Sequence, residues 1–278
     1  MIFISVVRNE KMYHDFVRHN PYNKGGEFIA YDNNKENIAI PKRYNHFLNT
    51  YDYSKPDWFI FCHEDWQAKQ NWLPTVQTLD KKSIYGTFGT KLKIRGNKAR
   101  KFYIGQIEAS HKDGSCHAVI GKNVPVRTKV ETFDCMCLII HSSLVQKHHI
   151  RFDEKLDWHH YAEELCIRLK EQYDIPSRIL QMKCKHWSYG VPLPDEGFTK
   201  AFNYVKDKFS NTKHFYSNTT IDEIIGPHSL KVKRVLCPKT SKFMKWLYSN
   251  KITKSGKKII KICKIPVYRE KGKELKKK

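Results

Sequence analysis

Residues 57–66 read Asp-Trp-Phe-Ile-Phe-Cys-His-Glu-Asp-Trp (DWFIFCHEDW). The first half is a near-continuous apolar run, the pattern of a strand buried on both faces of a parallel sheet. The second half puts polar groups at the carboxyl end of that strand, the edge where open α/β sheets bind ligands. Side chains alternate along an extended chain, so His63 and Asp65 project to one side and Glu64 to the other. An imidazole and a carboxylate converging there suit a divalent cation held through N and O ligands. A solvated strand-end loop is the plain alternative.

Working outward, the neighbouring segments alternate between the two periods. Ile2–Val7 is a β-branched run, followed by a helical pattern of Met12, Phe16 and Val17. Glu27–Tyr31 reads as a second strand that ends in the turn Asp32-Asn33-Asn34. Pro41 suits the first turn of a helix carrying Tyr44, Phe47 and Leu48 on one face. After the central run, Asn71 is placed to cap a helix with Trp72, Val76 and Leu79 inward. This is a βαβ beginning.

Residues 84–131 are richer in glycine, with β-like pieces at Lys101–Ile107 and Ala118–Ile120 that read as an antiparallel ribbon. Cys135–Ile140 returns to a buried strand. Trp158, Ala162, Leu165, Cys166 and Leu169 mark the inner face of a helix ending near Tyr173. Arg178–Met182 is a last core strand, and Phe198, Phe202, Val205 and Phe209 an amphipathic helix capped by Asp195. The expected fold class is α/β: a mostly parallel central sheet with flanking helices and a small antiparallel ribbon.

Composition narrows the function classes. The 278 residues hold 51 Lys+Arg against 28 Asp+Glu and are 40% hydrophobic, enough for a substantial core. No run approaches the roughly 18 apolar residues of a membrane span, and MIFISVV turns polar at Arg8, too early for an export signal. The eight cysteines form no C-x-x-C pair and read as reduced, buried thiols of a cytoplasmic protein. Residues 228–278 carry 18 Lys+Arg and 2 Asp+Glu, a net +16, while residues 1–227 carry 33 and 26, a net +7. The expected division is therefore a domain over 1–227 and a basic, partly amphipathic tail over 228–278, with Phe243, Trp246 and Leu247 on one helical side. A polyanion is the tail's natural partner, and an anionic membrane surface fits better than nucleic acid. The excess sits in one tail, and no RNA- or DNA-binding signature occurs.

Other strand ends also carry polar groups. Arg8 and Asn9 follow the first strand, and Asp32 and Asn33 the second, where a carboxylate is placed to accept from a ribose hydroxyl or a base N–H. Arg43 and Asn45 lie on the helix leading back to the central strand. No G-x-G-x-x-G and no phosphate-binding G-x-x-x-x-G-K-[ST] occurs. Trp66, Trp158, Tyr161, Trp187 and Tyr189 cluster around these points. Ring faces stack on sugar C–H surfaces, and core packing is the alternative, favoured for Trp158. His159 and His160 lack an H-E-x-x-H context.

In order, ISVVRNE, YDN, IPKRYNHFL, WFIFCHEDW, VETFDCMCLIIHSS, RFDEKLDWHHYAEELCIRL and KHWSYG span residues 4–190. The ordered set resembles the family 2-type glycosyltransferases of the GT-A fold, in their bacterial glycosyltransferase-like branch. The resemblance does not reach the tail. It implies a sugar moved from a nucleotide-sugar donor, UDP-type favoured, to a glycan or lipid-linked acceptor. It also implies a divalent metal (Mn or Mg), inversion, and residence in the cytoplasm at the inner face of the cell membrane.

By position, His63-Glu64-Asp65 stands where that family has its D-x-D motif. Asp65 then corresponds to the metal-binding carboxylate, His63 to the first acid, and His186 to a late ligand. Arg8, Asn9, Asp32, Asn33, Arg43, Asn45 and Glu64 correspond to the donor pocket, and Trp66, Tyr161 and Trp187 to the acceptor side. The base departs from the pattern: six residues before Arg168 stands Ala162. Glu164, Glu163 and Asp134 remain as candidates, with Glu164 leading. A catalytically silent, membrane-associated assembly module is the alternative that His63 and Ala162 suggest.

Overall fold

The computed structural model describes residues 1–110, 116–187 and 195–235, and the backbone of three strands between 248 and 269. The chain divides into two compact units, Met1–Cys237 and Pro238–Lys278.

The first unit opens with β1 (Ile2–Val7), a short α1 (Glu10–Tyr13) continuing into a π-helical turn, and β2 (Glu27–Asp32). Then come α2 (Ile40–Thr50), β3 (Trp58–Cys62), β4 (Trp66–Ala68) and α3 (Leu73–Gln77). The middle holds β5 (Ile84–Gly86), β6 (Gly89–Arg95), β7 (Lys98–Ser110), β8 (Cys116–Lys122), β9 (Thr128–Val130), β10 (Thr132–Phe133) and β11 (Cys137–His141). The remainder is α4 (Ser142–His148), α5 (Tyr161–Tyr173), β12 (Ser177–Ile179), β13 (Cys184–His186) and α6 (Glu196–Lys208). It closes with β14 (Tyr216–Ser217), β15 (Ile224–Ile225) and β16 (Lys231–Val235).

The first sheet has the order β2-β1-β3-β11-β5-β12-β9. β1 runs parallel to β2 and β3, and β12 to β5, while β11 lies antiparallel between β3 and β5. The central strand is buried throughout, and its alternation sorts the core into two faces. Phe59 and Phe61 join Tyr44, Phe47, Phe152 and Tyr161; Trp58, Ile60 and Cys62 join Phe3, Trp66 and Trp72. Burial pushes the Cys62 thiol up to about 12, as expected of an inert core cysteine.

The ribbon is larger than expected. β7 is long enough to pair in succession with β6 and β8 antiparallel and with β16 and β13 parallel, and β10 and β4 complete a seven-stranded sheet. The register shifts at Ile104/Gly105, where Gly105 has φ +83°, as the strand passes from β6 to β8.

Several boundaries move for local reasons. The strand expected from Cys135 begins at Cys137, because the Asp134 carboxylate accepts from the Met136 N–H at 3.0 Å and turns the chain first. The helix expected to include Trp158 begins at Tyr161, after His160 in the left-handed region (φ +60°). Trp72, and not Asn71, holds the N-cap position of α3. The last core strand covers Ser177–Ile179 only. The helix after Asp195 meets expectation, with the Asp195 carboxylate accepting from the Phe198 N–H at 2.7 Å. The first unit extends beyond residue 227 because β16 adds to the second sheet along β7.

In the second unit, β17 (Tyr248–Ile252), β18 (Lys258–Ile262) and β19 (Ile265–Arg269) form an antiparallel three-stranded sheet. Phe243, Trp246 and Leu247, expected on a helix, lie outside the described residues, as does Tyr189. Among the described residues no helix is long and apolar enough to cross a membrane.

Candidate metal and donor site

Because β2, β1 and β3 are parallel neighbours, their carboxyl ends bring Asp32, Arg8 with Asn9, and His63 to one edge. The chain then crosses from β3 in the first sheet to β4 in the second through His63, Glu64 and Asp65. β4 pairs with β13 so that Trp66 faces His186, and the Trp187 N–H donates to the Asp65 carbonyl at 3.0 Å. This pairing carries His186 to Asp65. The Asp65 Oδ1 stands 3.4 Å from His186 Nε2 and 3.8 Å from His63 Nδ1. One ligand atom from each of the three residues lies within 4.8 Å of the others.

The donor set fits a divalent cation. Asp65 Oδ1 is buried and has no hydrogen-bond partner among the described residues, although a buried carboxylate oxygen ordinarily has one. Burial disfavours the Asp65 charge, yet His186 and His63 outweigh it and hold the carboxyl down at about 2. Burial likewise opposes the charge on His186, but Asp65 raises its imidazole to about 9. Burial lowers His63, against the pull of Asp65, with smaller effects from His186, Asp134 and His159. Two imidazoles and a carboxylate sharing so small a volume are what a bound ion requires.

The donor-pocket residues divide. Asp32 is exposed; its Oδ1 accepts from the Asn34 backbone and side chain at 2.9 and 3.0 Å. Arg8 is exposed, with its guanidinium 4.2 Å above the Trp158 ring, so Trp158 is half-buried and serves as a platform. The Glu64 Oε2 accepts from the Arg8 and Asn9 backbone N–H groups at 2.6 and 2.8 Å, tying the ends of β1 and β3 together. The Asn9 side chain caps α1 by accepting from Met12 N–H. Arg43 pairs with Glu36 at 2.7 Å and braces the loop after β2. Asn33 and Asn45 are corrections. Asn33 is buried and clamps both backbone groups of Ile38 at 2.9 Å. Asn45 is buried and bonded to both backbone groups of Phe152 and to Glu154, so its polar atoms are used inside the fold.

The aromatic expectations are also corrected. Trp66 is fully buried, edge-on to Trp72. Tyr161 is 1% exposed, its hydroxyl 2.6 Å from His63 Nε2. Trp187 is half-buried, stacked on Phe16 at 4.5 Å with the Lys185 ammonium 3.5 Å from its ring centre. Both contacts occupy ring surface that a sugar would need.

The leading base candidate does not fit a base's task. The Glu164 carboxylate is fully buried and accepts from Arg168 at 2.7 and 3.1 Å and from Lys208 at 2.8 Å. Lys208 also bonds Asp153 at 2.6 Å, so Glu164 belongs to an ion network joining α5 to α6. Glu163 is buried as well, with Oε1 3.6 Å from His160 Nδ1. Asp134 is half-buried and accepts from Met136 N–H and from the Thr219 hydroxyl at 2.7 Å. Its charge also acts on His63 and His186, behind burial and Asp65. Residues that the sequence did not single out are Thr219 and the Cys135 carbonyl. No spacing or motif marks them. Two cavities of about 530 and 390 Å³ open elsewhere, and neither is lined by a candidate residue.

No family model matches the chain, and no curated protein matches it in sequence. Among solved structures it is similar to GalNAc-T7 with UDP, GalNAc and Mn2+, at 7% identity and a TM-score of 0.49, over 76% of this chain and 48% of that one. It is also similar to S. aureus TarS, at 11% identity and a TM-score of 0.45, over 77% of this chain and 40% of that one. The inositol-1-phosphate CTP transferase from T. maritima follows at 11% identity and a TM-score of 0.34, over 74% and 77%. The chain thus spans about half or less of the first two. The first sheet is largely parallel, with β11 and the edge strand β9 running antiparallel to their neighbours, and the second sheet is rich in antiparallel pairs.

Proposed function

We propose that the chain is a metal-dependent glycosyltransferase that moves a sugar from a nucleotide-sugar, UDP-type favoured, to a cell-surface glycan or glycolipid precursor with inversion. The observation that carries this reading is the His63–Asp65–His186 cluster at the sheet edge that also holds Asp32 and Arg8. A divalent ion there, Mn or Mg, supplies charge that offsets the departing diphosphate. Asp32 has one carboxylate oxygen engaged by Asn34 and offers the other to a ribose hydroxyl or base N–H. Arg8, resting on Trp158, adds positive charge beside the diphosphate. Asp134 takes the acceptor hydroxyl's proton, because it is the least buried of the three candidate acids and acts electrostatically on the cluster.

The test is a hydrolysis and transfer screen of nucleotide-sugars on the intact chain, with and without manganese. Manganese-dependent turnover is expected, with kcat at least ~10²-fold lower in Asp134→Asn, donor KM little changed, and Glu163→Gln near native. Ala162 at the family's base position favours a second reading, a silent relative. That reading is upheld by nucleotide binding without any turnover.

The tail's +16 points to an anionic membrane surface at the inner face of the cell membrane. Each basic residue near such a surface contributes about 1 kcal/mol. Chains with and without residues 238–278, which carry +13 of that +16, are compared by co-sedimentation with anionic liposomes. The intact chain is expected to bind and the shortened one to lose binding; equal sedimentation sinks the membrane role.

A further inference from the structure

Tyr161 opens α5 directly after the left-handed His160. Its ring is enclosed by Tyr44 and Phe152, at centroid distances of 6.0 and 5.9 Å, so no sugar reaches it. Its hydroxyl has two partners, the Cys135 carbonyl at 3.3 Å and His63 Nε2 at 2.6 Å. A carbonyl oxygen only accepts, so the phenol proton is directed to Cys135. The phenol oxygen then accepts from His63, which puts the imidazole proton on Nε2. A neutral His63 in that tautomer has a bare Nδ1, and Nδ1 is the nitrogen that faces Asp65 Oδ1 at 3.8 Å. A nitrogen lone pair and a carboxylate oxygen turned toward each other repel; a cation shared between them satisfies both.

We propose that Tyr161 is a positioning residue, which holds His63 in the Nε2–H tautomer and so presents Nδ1, beside Asp65 and His186, as a metal ligand. The inference rests on the metal-site reading above. It gives the cluster the outer hydrogen bond that a ligating histidine needs on its second nitrogen, here supplied by a phenol relayed to a backbone carbonyl.

The test is a double-mutant cycle on the full chain, with Mn2+ binding measured calorimetrically in the wild type, Tyr161→Phe, His63→Ala and the double variant. Tyr161→Phe keeps the ring and removes only the hydroxyl. The expected result is a 10–100-fold loss of Mn2+ affinity in a chain that keeps its fold, and no further loss when His63 is already alanine. An equal loss in both backgrounds, or none in either, overturns the inference. A second measurement needs no variant: 15N imidazole shifts of the metal-free wild type are expected to report His63 as Nε2–H, and an Nδ1–H tautomer overturns the inference. A wild-type chain that binds no Mn2+ refutes the metal reading itself, an outcome distinct from the other two.

Discussion

Two carboxylates with buried oxygens are treated in opposite ways on this chain. Glu164 is surrounded by Arg168 and Lys208, each within hydrogen-bond distance, and Lys208 is anchored in turn by Asp153. Asp65 has only imidazoles nearby, at 3.4 and 3.8 Å, and one oxygen without a hydrogen bond among the described residues. Both are acids near the end of an element, and either is a reasonable functional candidate from sequence. The difference is saturation. A carboxylate whose two oxygens are both held by cations from two helices ties those helices together, whereas one with an oxygen left short at a junction of two sheets is built to receive something.

The largest expected effect separates the two corners by stability. Glu164→Ala removes the buried acceptor shared by the partly exposed Arg168 and Lys208, and is expected to cost about 1.5–3 kcal/mol by chemical denaturation. A cost below about 1 kcal/mol means the network is not structural and reopens Glu164 as a base. Asp65→Asn sharpens the contrast from the other side. Turnover is expected to fall at least ~10²-fold with little loss of stability. If Asp65→Asn instead unfolds the chain as Glu164→Ala does, the two corners are of one kind. Full activity of Asp65→Asn in saturating EDTA removes the metal from the mechanism.

The smallest effect is in pH. His186 is raised from 6.5 to about 9, so its share of the metal-free stability is complete below pH 6.5 and lost as pH rises through 9. Asp65 is lowered from 3.8 to about 2, so its share is complete above pH 3.8 and lost as pH falls through 2. The apo Tm contribution of this pair is therefore flat between about pH 4 and 6.5. Mn2+ binding must displace the His186 proton, so affinity is expected to rise from pH 6.5 to 9 with proton release. Calorimetry in two buffers of different ionisation enthalpy reads that release, and a pH-independent affinity breaks the contrast.

The sheet was legible because burial on two faces leaves an unmistakable apolar run, and Phe59 and Phe61 separate from Ile60 and Cys62 by simple alternation. His63 and Asp65 were legible for the same reason, since they end that run. The metal triad needed more: His186 reaches the cluster only through the β4–β13 pairing, which no local pattern encodes. Glu163 and Glu164 are adjacent and about 100° apart on the helix, but which one meets Lys208 depends on where α6 docks. Asn33 and Asn45 showed their chemistry and not their partners, since an amide that clamps a loop and one that binds a nucleotide read alike. Trp66 and Tyr161 failed as acceptor residues because an aromatic ring serves core and ligand equally well.

His63, Glu64 and Asp65 form the passage from one sheet to the other, and His186 arrives on the second sheet. An ion held by these residues therefore acts as a rivet through both sheets. Its affinity becomes a gauge of how firmly the sheets are clamped. A substitution along β4 or β13 that loosens that clamp, far from any ligand atom, weakens the ion's hold, and by reciprocity the ion stabilises the junction of the sheets by the same free energy.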